Sequence, residues 1–343
     1  MALSSAQIKQ IIEHLDNCQR PMFFFDDDQD GLCSFLLLYR YKREGKGMII
    51  KTTPKIDERF IEKVNNYQPD KIFILDIAMV EQEFIDGVKA PVVWIDHHEP
   101  LKRSKVKYYN PRLNGKMVPT TYMCYKITGN SLWIAMIGCV ADWHIPDFAD
   151  EFKEKFPDLL DKPFKAPGDI IYKTRLGKLI QMFSFLLKGK SEDVNNSIKI
   201  LTRIEGPYDI LEPKTPEGKF LCKRCEKIHK RFEPLQKEIS EAFANSKEKL
   251  IVFKYAEDRT SFTSELSNEM IYLHPEKIVL VAREKNEEMK CSLRSAKIVL
   301  PPLINKAMAG LNGYGGGHEH ACGINISKYN FEEFVERLRK AVE

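Results

Sequence analysis

Val92-Val93-Trp94-Ile95-Asp96-His97-His98 decides how the chain reads: four β-branched or aromatic residues, too few for a helix, end in an aspartate and two histidines. The same arrangement recurs upstream. Phe23-Phe24-Phe25 runs into Asp26-Asp27-Asp28, and Ile72-Phe73-Ile74-Leu75 runs into Asp76. Residues 48–51 form a fourth short run, and helical spacing fills 32–43 and 57–66 between them. Short buried strands alternating with helices predict an α/β fold, a doubly wound sheet of parallel strands. In such a sheet chemistry gathers outside the carboxyl ends of the strands, where each of these acidic groups falls.

The 343 residues, 43% hydrophobic and 30% charged, argue for two domains with real cores. Residues 131–211 read as largely helical, interrupted by a loop at 146–167 rich in Pro, Phe and acidic residues. Residues 219–246 are charged and free of Gly, one long helix joining two domains. A second, smaller α/β pattern follows, with strands at 250–253, 277–282 and 289–293 ahead of a glycine cluster. The expected division is a catalytic domain at 1–218, a linker helix at 219–246 and a substrate-binding domain at 247–343.

No run approaches the roughly 18 apolar residues that cross a bilayer, and residues 1–20 lack a signal peptide's apolar centre, so a soluble, cytoplasmic protein without a membrane partner is expected. Eight cysteines in apolar or helical surroundings fit reduced thiols better than a disulfide framework. Cys222 and Cys225, with His229, share a helix face and lack a fourth ligand, which argues against a zinc site. The net charge of +4 weakly favours an anionic partner. Two basic clusters, Lys102-Arg103 with Lys105 and Lys107, and Lys223-Arg224 with Lys227, Lys230 and Arg231, read as solvated faces or as phosphate tracks.

Carboxylates at neighbouring strand ends repel one another unless a cation sits between them. Asp28 and Asp30, with Asp76, Asp142 and the His97 imidazole, make an oxygen and nitrogen set suited to Mn²⁺ or Mg²⁺ and less to Zn²⁺. Asp142 follows the apolar Gly138-Cys139-Val140-Ala141, so it needs a partner when buried. Two ions bridged by one aspartate supply what phosphodiester hydrolysis demands, an activated water and neutralisation of the phosphate. His98, pointing away from its neighbour, is placed to meet that phosphate. In Asn312-Gly313-Tyr314-Gly315-Gly316-Gly317-His318 the glycines let backbone N–H groups approach a phosphate, with His318 and Arg294 adding directed donors.

Asp26-Asp27-Asp28-Gln29-Asp30-Gly31, Leu75-Asp76, Asp96-His97-His98 and Val140-Ala141-Asp142 resemble, in order and spacing, the four motifs of the DHH phosphoesterase superfamily. Ser292-Leu293-Arg294-Ser295 and Gly315-Gly316-Gly317-His318, with Ala321 and Gly323, resemble its DHH-associated substrate-binding domain. The resemblance implies that Asp30, Asp76, His97 and Asp142 hold one Mn²⁺ while Asp28 and Asp76 contribute to a second. It also implies substrate contacts at Ser292, Arg294, Ser295, Gly315, Gly316, Gly317 and His318. Members acting on very short oligonucleotides or cyclic dinucleotides commonly carry a histidine where this chain has Phe24, which leaves Asp26 or water to complete the second ion's ligands. The Asp-x-Asp-x-Asp-Gly form resembles RecJ-type exonucleases. It implies hydrolysis of single-stranded DNA or RNA to 5′-mononucleotides, with replication or repair proteins as partners. The lack of room for an additional oligonucleotide-binding fold keeps a second activity close, on oligoribonucleotides of a few units, 3′-phosphoadenosine 5′-phosphate or cyclic dinucleotides. A non-catalytic replication scaffold is the third reading, and the retained ligand set speaks against it.

Overall fold

The computed structural model describes residues 2–51, 55–256 and 260–342. The chain forms two compact units, one running to Leu187 and including Glu192–Arg224, the other comprising Lys188–Ser191 and Cys225 onward. The division falls inside the helix Pro216–Asn245, which carries Pro234 within it.

The first unit holds β1 (Pro21–Asp26), β2 (Lys46–Ile50), β3 (Lys55–Ile56), β4 (Lys71–Leu75), β5 (Met79–Val80), β6 (Val92–Ile95) and β7 (Val106–Tyr109). Five of them pair in parallel in the order β2-β1-β4-β6-β7, and β3 pairs with β5 apart from this sheet. The expected parallel α/β sheet is therefore present. Its central strands β1, β4 and β6 are continuous apolar runs because helices cover both faces. On one face Phe24, Ile74 and Trp94 pack with Ile56, Val64 and Phe84. On the other, Phe25 stacks on Phe35 of the helix Gln29–Lys42, with ring centroids 4.5 Å apart. From β1 the chain winds outward to β2 on one side, and from β4 it winds through β6 to β7 on the other. The reversal lies between β1 and β4, the switch point at which a doubly wound sheet leaves a crevice beyond its strand ends.

Two local expectations are corrected. Residues 57–66 begin as a 3₁₀ turn at Glu58–Phe60, capped by the Asp57 side chain, before the helix Ile61–Tyr67. The span read as a loop at 146–167 contains the helix Ala149–Lys155, whose Phe152 is buried.

The second unit holds β8 (Leu250–Ala256), β9 (Ile278–Lys285), β10 (Glu288–Ser295), β11 (Gly313–His318) and β12 (Ala321–Ser327). They form one sheet in the order β11-β12-β10-β9-β8, antiparallel except for β8 against β9. One face buries Leu280, Leu293 and Ile324 with Ile304, Phe334 and Leu338 from the helices Leu300–Met308 and Phe331–Val342. The glycine cluster is thus an edge strand paired to β12, not the loop that its composition predicts. All eight cysteines are free thiols, and no helix among the described residues is long and apolar enough to cross a membrane.

Candidate metal centre

β1, β4 and β6 each end in an acidic or imidazole group, and their parallel pairing sets Phe25 beside Leu75 and Leu75 beside Ile95. Asp26, Asp76 and the Asp96-His97-His98 turn consequently emerge side by side at the switch point. Asp28 is the N-cap of the helix Gln29–Lys42 and accepts a hydrogen bond from Gly31 N–H at 2.9 Å. Asp30 lies in the first turn of that helix, 2% exposed; its Oδ2 accepts from Thr120 N–H at 2.9 Å and its Oδ1 from Thr121 N–H at 2.7 Å. These donors are the unpaired first N–H groups of the helix Thr120–Thr128. The Thr121 hydroxyl also donates to the Asp30 carbonyl at 2.9 Å.

Gly31 permits this entry. A Cβ there would sit 2.7 Å from both the nitrogen and the carbonyl oxygen of Asp26, backbone atoms of β1 that cannot step aside. Gly31→Ala is expected to cost about 1–3 kcal/mol of stability through overpacking, outweighing the roughly 1 kcal/mol that alanine gains in a helix, and to displace Asp28 and Asp30. Urea denaturation measures this; a variant as stable as the parent would contradict the close approach.

Asp76 adopts a left-handed backbone, φ +58°, which asparagine and aspartate tolerate better than most residues. Its side chain is 1% exposed, and Oδ1 accepts from the Thr120 hydroxyl at 3.3 Å. Oδ2 is buried with no hydrogen-bond partner. Burial, then the charges of Asp30, Asp28, Asp26 and Asp142, push the Asp76 carboxyl well above the usual carboxylate range. Asp142 caps the carboxyl end of the buried helix Leu132–Ala141, where the helix dipole disfavours an anion. The His97 Nε2 lies 3.3 Å from Asp76 Oδ1 and 3.8 Å from Asp30 Oδ2, and its Nδ1 lies 3.7 Å from Asp142 Oδ2. Burial holds the His97 pKa below its ordinary value despite these carboxylates, favouring the neutral imidazole that ligates metals.

Three groups each bring one ligand atom per residue within 4.8 Å of one another: Asp30, His97 and Asp142; Asp76, His97 and His98; Asp26, Asp28 and Asp76. A buried, unpartnered carboxylate oxygen, an anion at the wrong end of a helix and a purely oxygen and nitrogen donor set all fit a hard divalent cation. All the metal-ligand residues expected from the sequence converge here. Phe24 is fully buried edge-on against Phe60 and Phe84, and its ring brings no ligand atom to the acids. Asp26 supplies the third member of its group instead.

His98 behaves differently from His97. Its Nδ1 is 2.8 Å from Asp96 Oδ1, its backbone N–H donates to Asp96 Oδ2 at 3.1 Å, and it lies farther from Asp76, at 4.0 Å. Burial opposes its charged form, yet the hydrogen bond and charge of Asp96, with Asp28 and Asp30, outweigh burial and raise its pKa.

The DHH family N-terminal domain matches residues 22–136, and the DHHA1 domain matches residues 249–343. The chain belongs to the DHH family of phosphoesterases. Among solved structures, RecJ in complex with Mn²⁺ from Thermus thermophilus shares 15% identity with this DHH protein over 99% of its length, with a TM-score of 0.69. This chain spans 55% of that RecJ chain, about half its length. An exonuclease RecJ bound to manganese aligns over 99% of this chain and 95% of its own at 14% identity, TM-score 0.65. A pGpG-specific phosphodiesterase from Vibrio cholerae aligns over 94% and 99% at 13% identity, TM-score 0.53. These likenesses show the shared two-domain fold. No curated protein matches the sequence.

In the DHHA1 unit, Arg294 Nε donates to Asn268 Oδ1 at 2.6 Å and Nη1 donates to the carbonyls of Leu293 and Cys322. Ser292 is buried with its hydroxyl 3.3 Å from that of Ser264, and the buried Ser295 hydroxyl accepts from Lys297 and Ile298 N–H groups. Gly316 pairs with Gly323, and a Cβ on either would meet no atom within 4 Å, so this patch of sheet is bare backbone. Gly315 faces inward toward Ile304 and Ile324, and Gly317 has φ +145°. Tyr314 and His318, at alternate positions from Gly316, are exposed.

Sequence reasoning missed the donors Thr120 and Thr121, Tyr108 and Asn110, which hydrogen-bond Asp96, and Asn268. Only Asn110, directly before Pro111, carried a readable signal, that of a turn.

Proposed function

We propose that the protein is a metal-dependent phosphodiesterase, a RecJ-like exonuclease that hydrolyses single-stranded DNA or RNA to 5′-mononucleotides, with Mn²⁺ or Mg²⁺ as cofactor. The observation that supports it is the sharing of Asp76 between a carboxylate group with Asp26 and Asp28 and an imidazole-containing group with His97. Asp30, Asp76, His97 and Asp142 would hold one ion, and Asp26, Asp28 and Asp76 the other. Divalent ions in such a pair lower the pKa of water and neutralise charge on a transferring phosphoryl group. The Thr120 and Thr121 amides hold both Asp30 oxygens in place, so Asp30 keeps one orientation throughout the reaction. With Nδ1 held by Asp96, His98 would turn Nε2 toward a non-bridging phosphate oxygen and donate a proton to it. Arg294 and His318, with the backbone of Gly315, Gly316 and Gly317, would bind a second phosphate or the sugar, while Ser292 and Ser295, expected from the sequence to touch substrate, are buried with engaged hydroxyls and would flank Arg294 instead. Replication or repair proteins are the expected partners.

The Asp26-Asp28-Asp30 triple in place of a histidine at position 24 favours the exonuclease over the short-substrate enzyme. Purified protein with Mn²⁺ or Mg²⁺ is offered 5′- and 3′-labelled strands from two nucleotides to well beyond the roughly 16 that one binding surface contacts, together with cyclic dinucleotides. Comparable rates on long and short strands, with mononucleotide products, are expected. Activity restricted to dinucleotides would replace this reading with the short-substrate one.

A further inference from the structure

The turn that presents both histidines is braced by a segment outside all four acidic motifs. β7 and the residues after it run beside β6, and the Asp96 N–H donates to the Tyr109 carbonyl at 3.1 Å. Arg112 Nε donates to the His97 carbonyl at 2.7 Å. Asn110, 1% exposed, sends Nδ2 to the His98 carbonyl at 2.9 Å and to the Tyr108 hydroxyl at 2.8 Å, with Asp96 Oδ2 at 3.3 Å. Its Oδ1 accepts from Arg112 N–H at 2.9 Å, which fixes the orientation of the amide. The Tyr108 hydroxyl, receiving a proton from Asn110, gives its own to Asp96 Oδ2 at 3.2 Å. Asp96 is fully buried, and both its oxygens are occupied by His98, Tyr108 and Asn110.

An amide has two protons and here meets three acceptors, so Asn110 cannot rotate without abandoning at least one buried acceptor. Without Asn110 and Tyr108, Asp96 would lose the donors on its far side, and the carboxylate could turn away from His98 Nδ1. We infer that Asn110, acting with Tyr108, is a positioning residue: it locks Asp96 so that His98 keeps Nδ1 engaged and Nε2 aimed at substrate. Its place in catalysis rests on the phosphodiesterase reading above, whereas its hold on His98 is a property of the protein without metal or substrate.

Two variants and two measurements test this. Asn110→Asp is close to isosteric but turns an acceptor toward Asp96 and the His98 carbonyl. Tyr108→Phe removes a single hydroxyl and keeps the ring, which stacks on Trp94 at 4.1 Å, so the fold is retained. In ¹⁵N-histidine-labelled, metal-free parent, the His98 Nδ1–H is expected as an exchange-protected proton resonance, assigned by its absence in His98→Ala. It should vanish in Asn110→Asp and exchange faster in Tyr108→Phe. On a phosphodiester substrate kcat should fall about 10–100-fold in Asn110→Asp, the usual range for residues behind a ligand shell, and several-fold in Tyr108→Phe, with KM little changed. A protected Nδ1–H and unchanged kcat in Tyr108→Phe and in Asn110→Asp would overturn the inference. If Asn110→Asp does not fold, Tyr108→Phe decides alone. Absence of phosphodiesterase activity in the parent would refute the proposed function, while the resonance would still test the bracket.

Discussion

Asp76→Asn is expected to lower kcat by at least about 10³-fold and, in chelator, to raise the melting temperature above that of the parent. The two effects share one cause. Asp76 is the one carboxylate shared by two of the three groups, so no other carboxylate takes its place. Without a cation the same carboxylate is buried, has one oxygen with no hydrogen-bond partner and faces four other aspartates. Asparagine keeps the side-chain shape, tolerates the left-handed backbone, retains an oxygen for the Thr120 hydroxyl and can donate to a neighbouring carboxylate. Removing that repulsion should gain about 1 kcal/mol, or roughly 2–4 °C for a unit of this size. Calorimetry in EDTA and a turnover assay with Mn²⁺ check the pair. Activity above a tenth of the parent's would remove Asp76 from the centre, and a lower melting temperature would refute the electrostatic account.

Saturating divalent cation is expected to stabilise the parent by about 2.7 kcal/mol at a hundredfold excess over Kd, a rise of roughly 5–10 °C, and to leave Asp76→Asn almost unmoved. The pH dependence has a definite sign. The folded pKa of Asp76 lies above its unfolded value, so between the two the native state binds more protons than the unfolded chain. Metal-free stability therefore declines as pH climbs from the ordinary carboxylate range through the raised value. Cation binding, which needs the deprotonated ligands, strengthens over the same interval, so the gap between loaded and metal-free melting temperatures should widen from acid toward neutral pH. A constant gap would show that the acids do not titrate with the metal.

The cluster was legible in the sequence because its carboxylates and imidazole follow the ends of apolar runs, a pattern that alternation and strand length expose. Its support was not. Asp30 is held by the backbone N–H groups of Thr120 and Thr121, and every residue but proline has one, so only the arrival of that helix identifies the donors. β7 was hidden in the basic run at Lys102–Lys107, where Lys105 and Lys107 broke the apolar signal although Tyr108 and Tyr109 face the interior from its end. β11 was hidden by composition: glycine has no side chain to reveal alternation, and only pairing with Cys322, Ile324 and Ile326 across β12 makes it a strand. At position 24 the sequence left open what replaces the histidine. The packing of Phe24 into the sheet core turned that question toward Asp26.

The candidate ligands come from the ends of β1, β4 and β6, from the start of the helix Gln29–Lys42 and from the end of the helix Leu132–Ala141, a spread from Asp26 to Asp142. During synthesis no short stretch of nascent chain holds the full set, so a cation bound as proposed would meet all its ligands only once Asp142 is in place. Loading would then be a late step, and its benefit would fall on the rate at which the finished domain opens, not on the rate at which it forms.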